Sequence, residues 1–208
     1  MMDIHNHSLF GVDDGAKDLT MSINMIKQAI AVGIKKIYLT PHVNAPAQKV
    51  DRAIHLQHFE LLKDAVKDLP IELALWAEIY IGQSLPKLKW DDYVVHGNYL
   101  LVEFSNMIEA PIVDLCYNLT KKGYHVVLAH VERYGYLTVE DLNELKDIGV
   151  KLQVNASSIN RTGNWFHALK AKKLLKLDLI DIVATDAHND KTRKIQKFSF
   201  VPTNFFKD

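Results

Sequence analysis

Strand-like and helix-like segments alternate from one end of this chain to the other, and that alternation narrows its possible folds more than any other feature. A strand-like opening at Met2 to Ile4 is followed by apolar residues at Leu19, Ile23, Ile26 and Ile30, a helical spacing that stops at Gly33. Ile34 to Thr40 reads as a strand, Val50 to Leu69 as a helix ahead of Pro70, and Ile71 to Ala77 as a strand. Tyr99 to Phe104 is a strongly apolar strand, Ile112 to Lys122 a helix ending at Gly123, and His125 to Ala129 a strand. Thr138 with Asp141 resembles a capping box that opens a helix through Ile148. Val150 to Val154 then forms a strand, Trp165 to Leu177 a helix, and Ile180 to Ala184 a short strand. About seven βα units in one domain, residues 1–208, imply a parallel sheet, either a closed barrel or an open doubly wound sheet. Tyr80 to Asn98 is the least regular stretch and reads as a loop anchored by Trp90. The tail from Asn189 to Asp208 shows no clear helix.

The polar residues fall at one place in that pattern. His5 and His7 follow the first strand, His42 the second, and Glu78 ends the third. Glu103 ends the fourth, His130 the fifth and Asn155 the sixth, while Asp186 and His188 follow the seventh. Barrels and open α/β sheets alike build their sites at the carboxyl ends of parallel strands. His5-x-His7 places two imidazoles on one side of an extended chain. A set of imidazoles and carboxylates without thiolate suits zinc, manganese or iron. Two such ions can activate a water and stabilise displacement at phosphorus. Asp14 is a further candidate ligand, although Asp13-Asp14-Gly15 also reads as a plain turn. The remaining histidines, His55, His58, His96, His125 and His167, read as ordinary hydrogen-bonding residues, with His55 and His58 on a solvent-facing helix side.

Several chemistries are excluded by sequence. Cys116 is the single cysteine and lies in a helix; position 122 is Lys, so the spacing of a cysteine-dependent phosphatase fails. No phosphate-binding glycine loop and no G-x-S-x-G elbow occurs. The 25 basic and 25 acidic residues balance, which argues against a nucleic-acid coat or a membrane-surface protein. The amino terminus lacks a signal-peptide pattern and no apolar run is long enough to insert in a membrane, so a cytoplasmic protein is expected.

At these residues the chain resembles the PHP (polymerase and histidinol phosphatase) superfamily. More narrowly, it resembles the CpsB/CapC-type manganese-dependent protein-tyrosine phosphatases of capsule and exopolysaccharide synthesis. The stretches that carry the resemblance are Asp3 to His7, Gly11 to Lys17, Thr40-Pro41-His42, Ala77 to Ile79, Leu101 to Phe104, Ala129 to Tyr134, Asn155 to Ser158 and Thr185 to His188. The resemblance implies a distorted (β/α)7 TIM-like barrel with a cluster of two or three divalent ions, manganese foremost and iron or zinc as substitutes. It implies one ion on His5, His7, Glu78 and Asp186, a second on Glu78, Glu103 and His130, and a third on Asp14, His42 and His188. Arg133 and Arg193 occupy the positions of phosphate-binding arginines, and with His42 and Asp14 they make up the expected catalytic set. The implied partner is a phosphotyrosine protein, foremost the tyrosine-rich tail of a polysaccharide-synthesis kinase. An oligomer is compatible with the resemblance, and nucleic acid is not an expected partner. Alternatives are a histidinol-phosphate-type phosphatase, a non-catalytic binding partner of the kinase, and a nuclease that the balanced charge disfavours. Two local departures are Val131, where the family usually has Pro, and the Val43 to Ala47 segment after His42. Only Asn189 to Asp208 follow the last ligand histidine, so the domain is expected to be shortened at its carboxyl end.

Overall fold

β1 (Met2–Asn6) forms where the chain alternates apolar and polar residues, yet Asp3 to Asn6 are all buried. Such a strand must have every polar atom satisfied within the fold. The computed structural model describes residues 1–198 and 205–206, so the expectation for the tail extends past the described residues at 199–204 and 207–208. Two units divide the chain: Met1–Ala77 with Ala184–Ser199, and Glu78–Val183 with Phe200–Asp208.

In the first unit β1 is followed by α1 (Leu19–Ala31), β2 (Lys36–Leu39), the short β3 (His42–Val43), α2 (Arg52–Ala65) and β4 (Glu72–Leu75). β1, β2 and β4 pair in parallel in that order, with Asp3 opposite Ile37 and Ile37 opposite Leu73. Both helices start on aspartate caps: Asp18 accepts the Met21 N–H and Asp51 accepts the Ile54 N–H. Gly33 closes α1 at φ +88°, a conformation that favours glycine. Ile4, Met25, Ile26, Ile37, Leu39 and Leu62 are buried beneath these elements.

In the second unit β5 (Glu78–Tyr80) precedes a 3-10 turn (Trp90–Tyr93), β6 (Tyr99–Glu103), α3 (Ile112–Lys121) and β7 (His125–Leu128). A second 3-10 turn (Val131–Arg133) leads to α4 (Val139–Asp147), β8 (Lys151–Asn155), the short α5 (Ala156–Ile159), α6 (Trp165–Lys176) and β9 (Ile182–Ala184). β5, β6, β7 and β8 pair in parallel in sequence order. Leu100 to Val102 and Val126 to Leu128 are fully buried, as strands covered on both faces must be. The capping box is present in full: Thr138 Oγ1 accepts the Asp141 N–H, and Asp141 accepts the Thr138 N–H. Trp90 is buried on its 3-10 turn, in agreement with its reading as an anchor. Cys116 is a buried free thiol whose pKa burial pushes up, so it is core.

Two expectations need correction. The strand read as Ile71 to Ala77 and ended by Glu78 is two strands: β4 pairs with β2, whereas Glu78 opens β5, which pairs with β6. Apolar continuity through Trp76 and Ala77, both buried, hid the break. His55 and His58 do not share a solvent-facing side either: His55 is buried and His58 half-buried. His55 is fully buried because it shares a helix face with Leu62, one heptad on, and with Val66, which caps that helix. His58 stacks on Phe10 and donates Nδ1–H to the Phe10 carbonyl at 2.8 Å.

Candidate metal centre

In the first unit, β1 carries His5 and His7 to one spot and the segment after β9 returns to meet them. Asp186 N–H donates to the His5 carbonyl and His7 N–H to the Ala187 carbonyl, each at 2.9 Å. Asp3 fastens the same junction by accepting the Thr185 N–H at 2.9 Å and its hydroxyl at 2.6 Å. Nε2 of His5 and Nε2 of His7 come within 3.2 Å, and Asp186 Oδ1 lies 3.6 Å from each. A second group forms around Asp14, whose Oδ1 is 3.4 Å from His42 Nε2 and 3.5 Å from His188 Nε2. Donor atoms of His7, Asp14, His42 and His188 lie within 4.8 Å of one another, as do those of His5, His7 and Asp186. These spacings suit a shared cation: four ligands at about 2.1 Å in a tetrahedron stand about 3.4 Å apart.

The protonation pattern makes the fit specific. Nδ1 of His188 is 3.0 Å from the Asp186 carbonyl oxygen, a pure acceptor, so Nδ1 carries the hydrogen and Nε2 presents a lone pair. That lone pair faces the Asp14 carboxylate. A positive charge between these two acceptors would satisfy both. The His188 ring does not supply it, because burial and then the neighbouring His7 hold its pKa down to about 3. His7 is oriented in the same way: its Nδ1 donates to Asp13 Oδ2 at 3.0 Å, which turns Nε2 toward His5 and Asp186. The donor set thus fits divalent metal ions, with His7 and His188 each oriented by an acceptor behind the ring. His42, and then His188, hold the Asp14 carboxyl well below the usual range against the opposing effect of burial. Arg193 stands beside this group, with Nη2 3.4 Å from both carboxylate oxygens of Asp186. Its side chain is 43% exposed, so the guanidinium remains open to a ligand.

In the second unit β5, β6 and β7 deliver a smaller set. His130 Nε2 lies 2.9 Å from Glu78 Oε1 and 3.6 Å from Glu103 Oε2. Glu78 is buried, while the Glu103 side chain keeps 14% exposure. Arg133 follows on the 3-10 turn, half-buried, its N–H bonded to the His130 carbonyl. His130 adopts a left-handed backbone (φ +35°), as does Asp186 in the first unit (φ +49°). Such conformations cost about 1 kcal/mol or more and persist where surrounding bonds enforce them. For His130 the bond is its N–H to Gln153 Oε1 at 2.9 Å.

Some contributors were not legible in sequence. Asp13, read as half of a turn, is buried and accepts from His7 Nδ1–H, the His42 N–H and the Gly15 N–H. Burial would raise its pKa, but the His7 hydrogen bond and the charges of His7 and His42 bring it below the usual value. Tyr134 is buried, accepts the Phe104 N–H at 3.1 Å and reaches within 3.4 Å of His130 Nδ1. Glu132 accepts from the Asn155 N–H and the Ser158 hydroxyl, and Asn155 Oδ1 accepts from Gln153. Asn155 is therefore a hydrogen-bonding member of the strand-end series.

Comparison with known proteins agrees with this chemistry. The chain is 35% identical over 207 residues to the tyrosine-protein phosphatase YwqE of Bacillus subtilis, covering 93% of this chain and 79% of the relative. It is 32% identical over 209 residues to the tyrosine-protein phosphatase CpsB of Streptococcus pneumoniae, covering 93% and 85%. A crystal structure from the YwqE and CpsB pair, described as metal-dependent tyrosine phosphatases, superposes with a TM-score of 0.81 at 32% identity, covering 93% of this chain and 82% of that one. The fold class is accordingly the TIM-like α/β class of the PHP phosphatases. The model of the family described as "Capsular polysaccharide synthesis, CpsB/CapC" matches residues 1–198, and the chain belongs to that family.

Proposed function

We propose that this chain is a metal-dependent protein-tyrosine phosphatase acting in the cytoplasm on a phosphorylated tyrosine-rich tail of a polysaccharide-synthesis kinase. The observation that carries the reading is the clustering of imidazole and carboxylate donor atoms, with those of His7, Asp14, His42 and His188 within 4.8 Å of one another and those of His5, His7 and Asp186 likewise. In this reading His5, His7 and Asp186 hold one ion, and Asp14, His42 and His188 hold another. His130, Glu78 and Glu103 hold a further one. Manganese is the foremost candidate, because an oxygen- and nitrogen-rich set without thiolate accepts it, and availability rather than affinity decides among manganese, iron and zinc.

Divalent ions held here would supply Lewis acidity and an activated water for displacement at phosphorus. The chain's own groups do the rest. Asp13 and the Asp186 carbonyl fix the tautomers of His7 and His188, so that no proton competes at Nε2. Arg193 and Arg133 present guanidinium forks to the phosphate oxygens, where charge accumulates. The leaving phenol has a pKa of about 10 and needs less protonation than an alkyl alcohol would. Relatives of 30% identity or more over most of the chain bear the tyrosine-phosphatase name, which favours the phosphotyrosyl substrate over a small alkyl phosphate. Turnover of a phosphotyrosine peptide and of histidinol phosphate by the manganese-loaded protein tests this choice. The peptide is expected to be the better substrate by kcat/KM, and a preference for histidinol phosphate would overturn the reading.

A further inference from the structure

Helix α6 is amphipathic in an unusual sense. Its inner face is made by Ala168, Ala171 and Leu174, all buried against the second unit's own core. At 100° per residue, Trp165, Leu169, Lys172, Lys173 and Lys176 share the opposite arc. Trp165 and Phe166 are each 62% exposed and lie against one another with ring centroids 3.9 Å apart; Leu169 is 55% exposed. The helix holds Lys170, Lys172, Lys173 and Lys176 and no acidic residue. Alongside runs a groove of about 360 Å³ between α6 and α4, lined by Leu137, Leu142, Leu169 and Leu174, with Lys170 and Lys173 as its only charged residues. Two acids of α4, Asp141 and Glu144, line a separate depression with Asp114.

We propose that the outward face of α6 with this groove docks on the surface of an anionic lipid bilayer. Exposed indole, phenyl and leucine side chains at one end and a lysine cluster at the other match an interface of hydrocarbon below and phosphate above. Two features favour lipid over an acidic peptide. Lysines serve as point charges for phosphate headgroups, whereas planar bidentate recognition of carboxylates draws on arginine, which α6 lacks. The groove beside the lysines is apolar, as acyl or glycerol carbons require. The zero net charge of the whole chain conceals this local asymmetry. Docking is peripheral, since no helix of the described residues is long and apolar enough to cross a membrane. The face reaches the candidate site's own segment: Lys170 Nζ donates to the Tyr134 and Leu137 carbonyls, on the loop that follows Arg133.

The full chain should co-sediment at low ionic strength with vesicles of phosphatidylglycerol and phosphatidylcholine, but not with phosphatidylcholine alone. Trp76 and Trp90 are buried, so a blue shift of tryptophan emission on binding reports Trp165. Lys172→Glu/Lys173→Glu/Lys176→Glu should weaken partitioning by roughly 30-fold or more. Trp165→Ala/Phe166→Ala should weaken it and abolish the blue shift. Both variants should melt with the parent, which excludes misfolding as the cause. The proposal is overturned by any of three results: no binding to anionic vesicles, binding undiminished in both variants, or lysine-dependent binding of an acidic phosphopeptide without vesicle binding. Vesicle binding is read without turnover, so this test is independent of the phosphatase reading.

Discussion

Asp13 accepts three hydrogen bonds in a space with no water-accessible surface to speak of, and each one fixes something the site needs. One sets the His7 tautomer, one pins the main chain at His42, and one holds the turn at Gly15. Asp13→Asn replaces an acceptor with a group that also donates, which competes with the His7 Nδ1–H. The expected result is a drop in metal affinity or turnover of about 10–100-fold with the fold retained. A titration of activity against manganese reads it, and wild-type affinity in the variant would count against the orienting role. Arg193 belongs to the same scale. Arg193→Lys keeps the charge but loses the planar fork, so KM for a phosphotyrosine peptide should rise by roughly 10-fold, with a smaller change in metal content. A change in metal content without a change in KM would instead make Arg193 a structural partner of Asp186. Most ligand-type residues were legible because they lie at or beside strand ends in the βα pattern, where an α/β sheet builds its sites. Asp13 was not, because an acidic pair before glycine carries the same turn signal whichever member points inward.

Elements hold these residues in place, and their margins are narrow. The turn between β1 and α1 passes so close to β1 that a Cβ on Gly15 would lie 2.2 Å from the His7 carbonyl oxygen and 2.6 Å from its Cβ. Backbone cannot yield that much without moving His7. Gly15→Ala should therefore destabilise by about 1–3 kcal/mol and lower metal content together. Thermal melting with elemental analysis checks both, and an unchanged melting temperature would show that the turn has more room than the geometry gives it. Helix α2 carries a different liability in His55. Burial, and then Arg52, pull its pKa down to about 4, and neither ring nitrogen has a hydrogen-bond partner among the described residues. Above the ordinary value of 6.5 the ring is neutral folded or unfolded, and its full stability is present. As pH falls from 6.5 toward 4 the unfolded chain takes up the proton and the folded chain does not, so stability declines and then levels. The loss amounts to at most about 3 kcal/mol. Denaturation midpoints at pH 7 and pH 5 should separate the parent from His55→Leu, with the variant losing less; equal losses would remove His55 as the cause. Periodicity located the strands and helices well where apolar residues repeat. It failed at Trp76 and Ala77, where burial is continuous across a strand break, and at His55, where a polar residue occupies a core position.

Across the whole molecule, family membership, fold class and donor chemistry agree, although each rests on a different observation. The order of motifs along the chain was enough to indicate the class, because imidazoles and carboxylates recur beside successive strands over nearly the full length, where α/β folds build their sites. The local surface was not legible in the same way. A charge balance of 25 against 25 averages over faces, and it takes the helix geometry to show that α6 is basic and aromatic outward. The measurement that tests the central claim most directly is elemental analysis of the purified chain, paired with phosphotyrosine-peptide turnover before and after chelation and after manganese is restored. The account predicts two or three equivalents of bound divalent metal, turnover lost on chelation, and turnover recovered with manganese. Absence of bound metal even after reconstitution, or turnover indifferent to chelation, would contradict it.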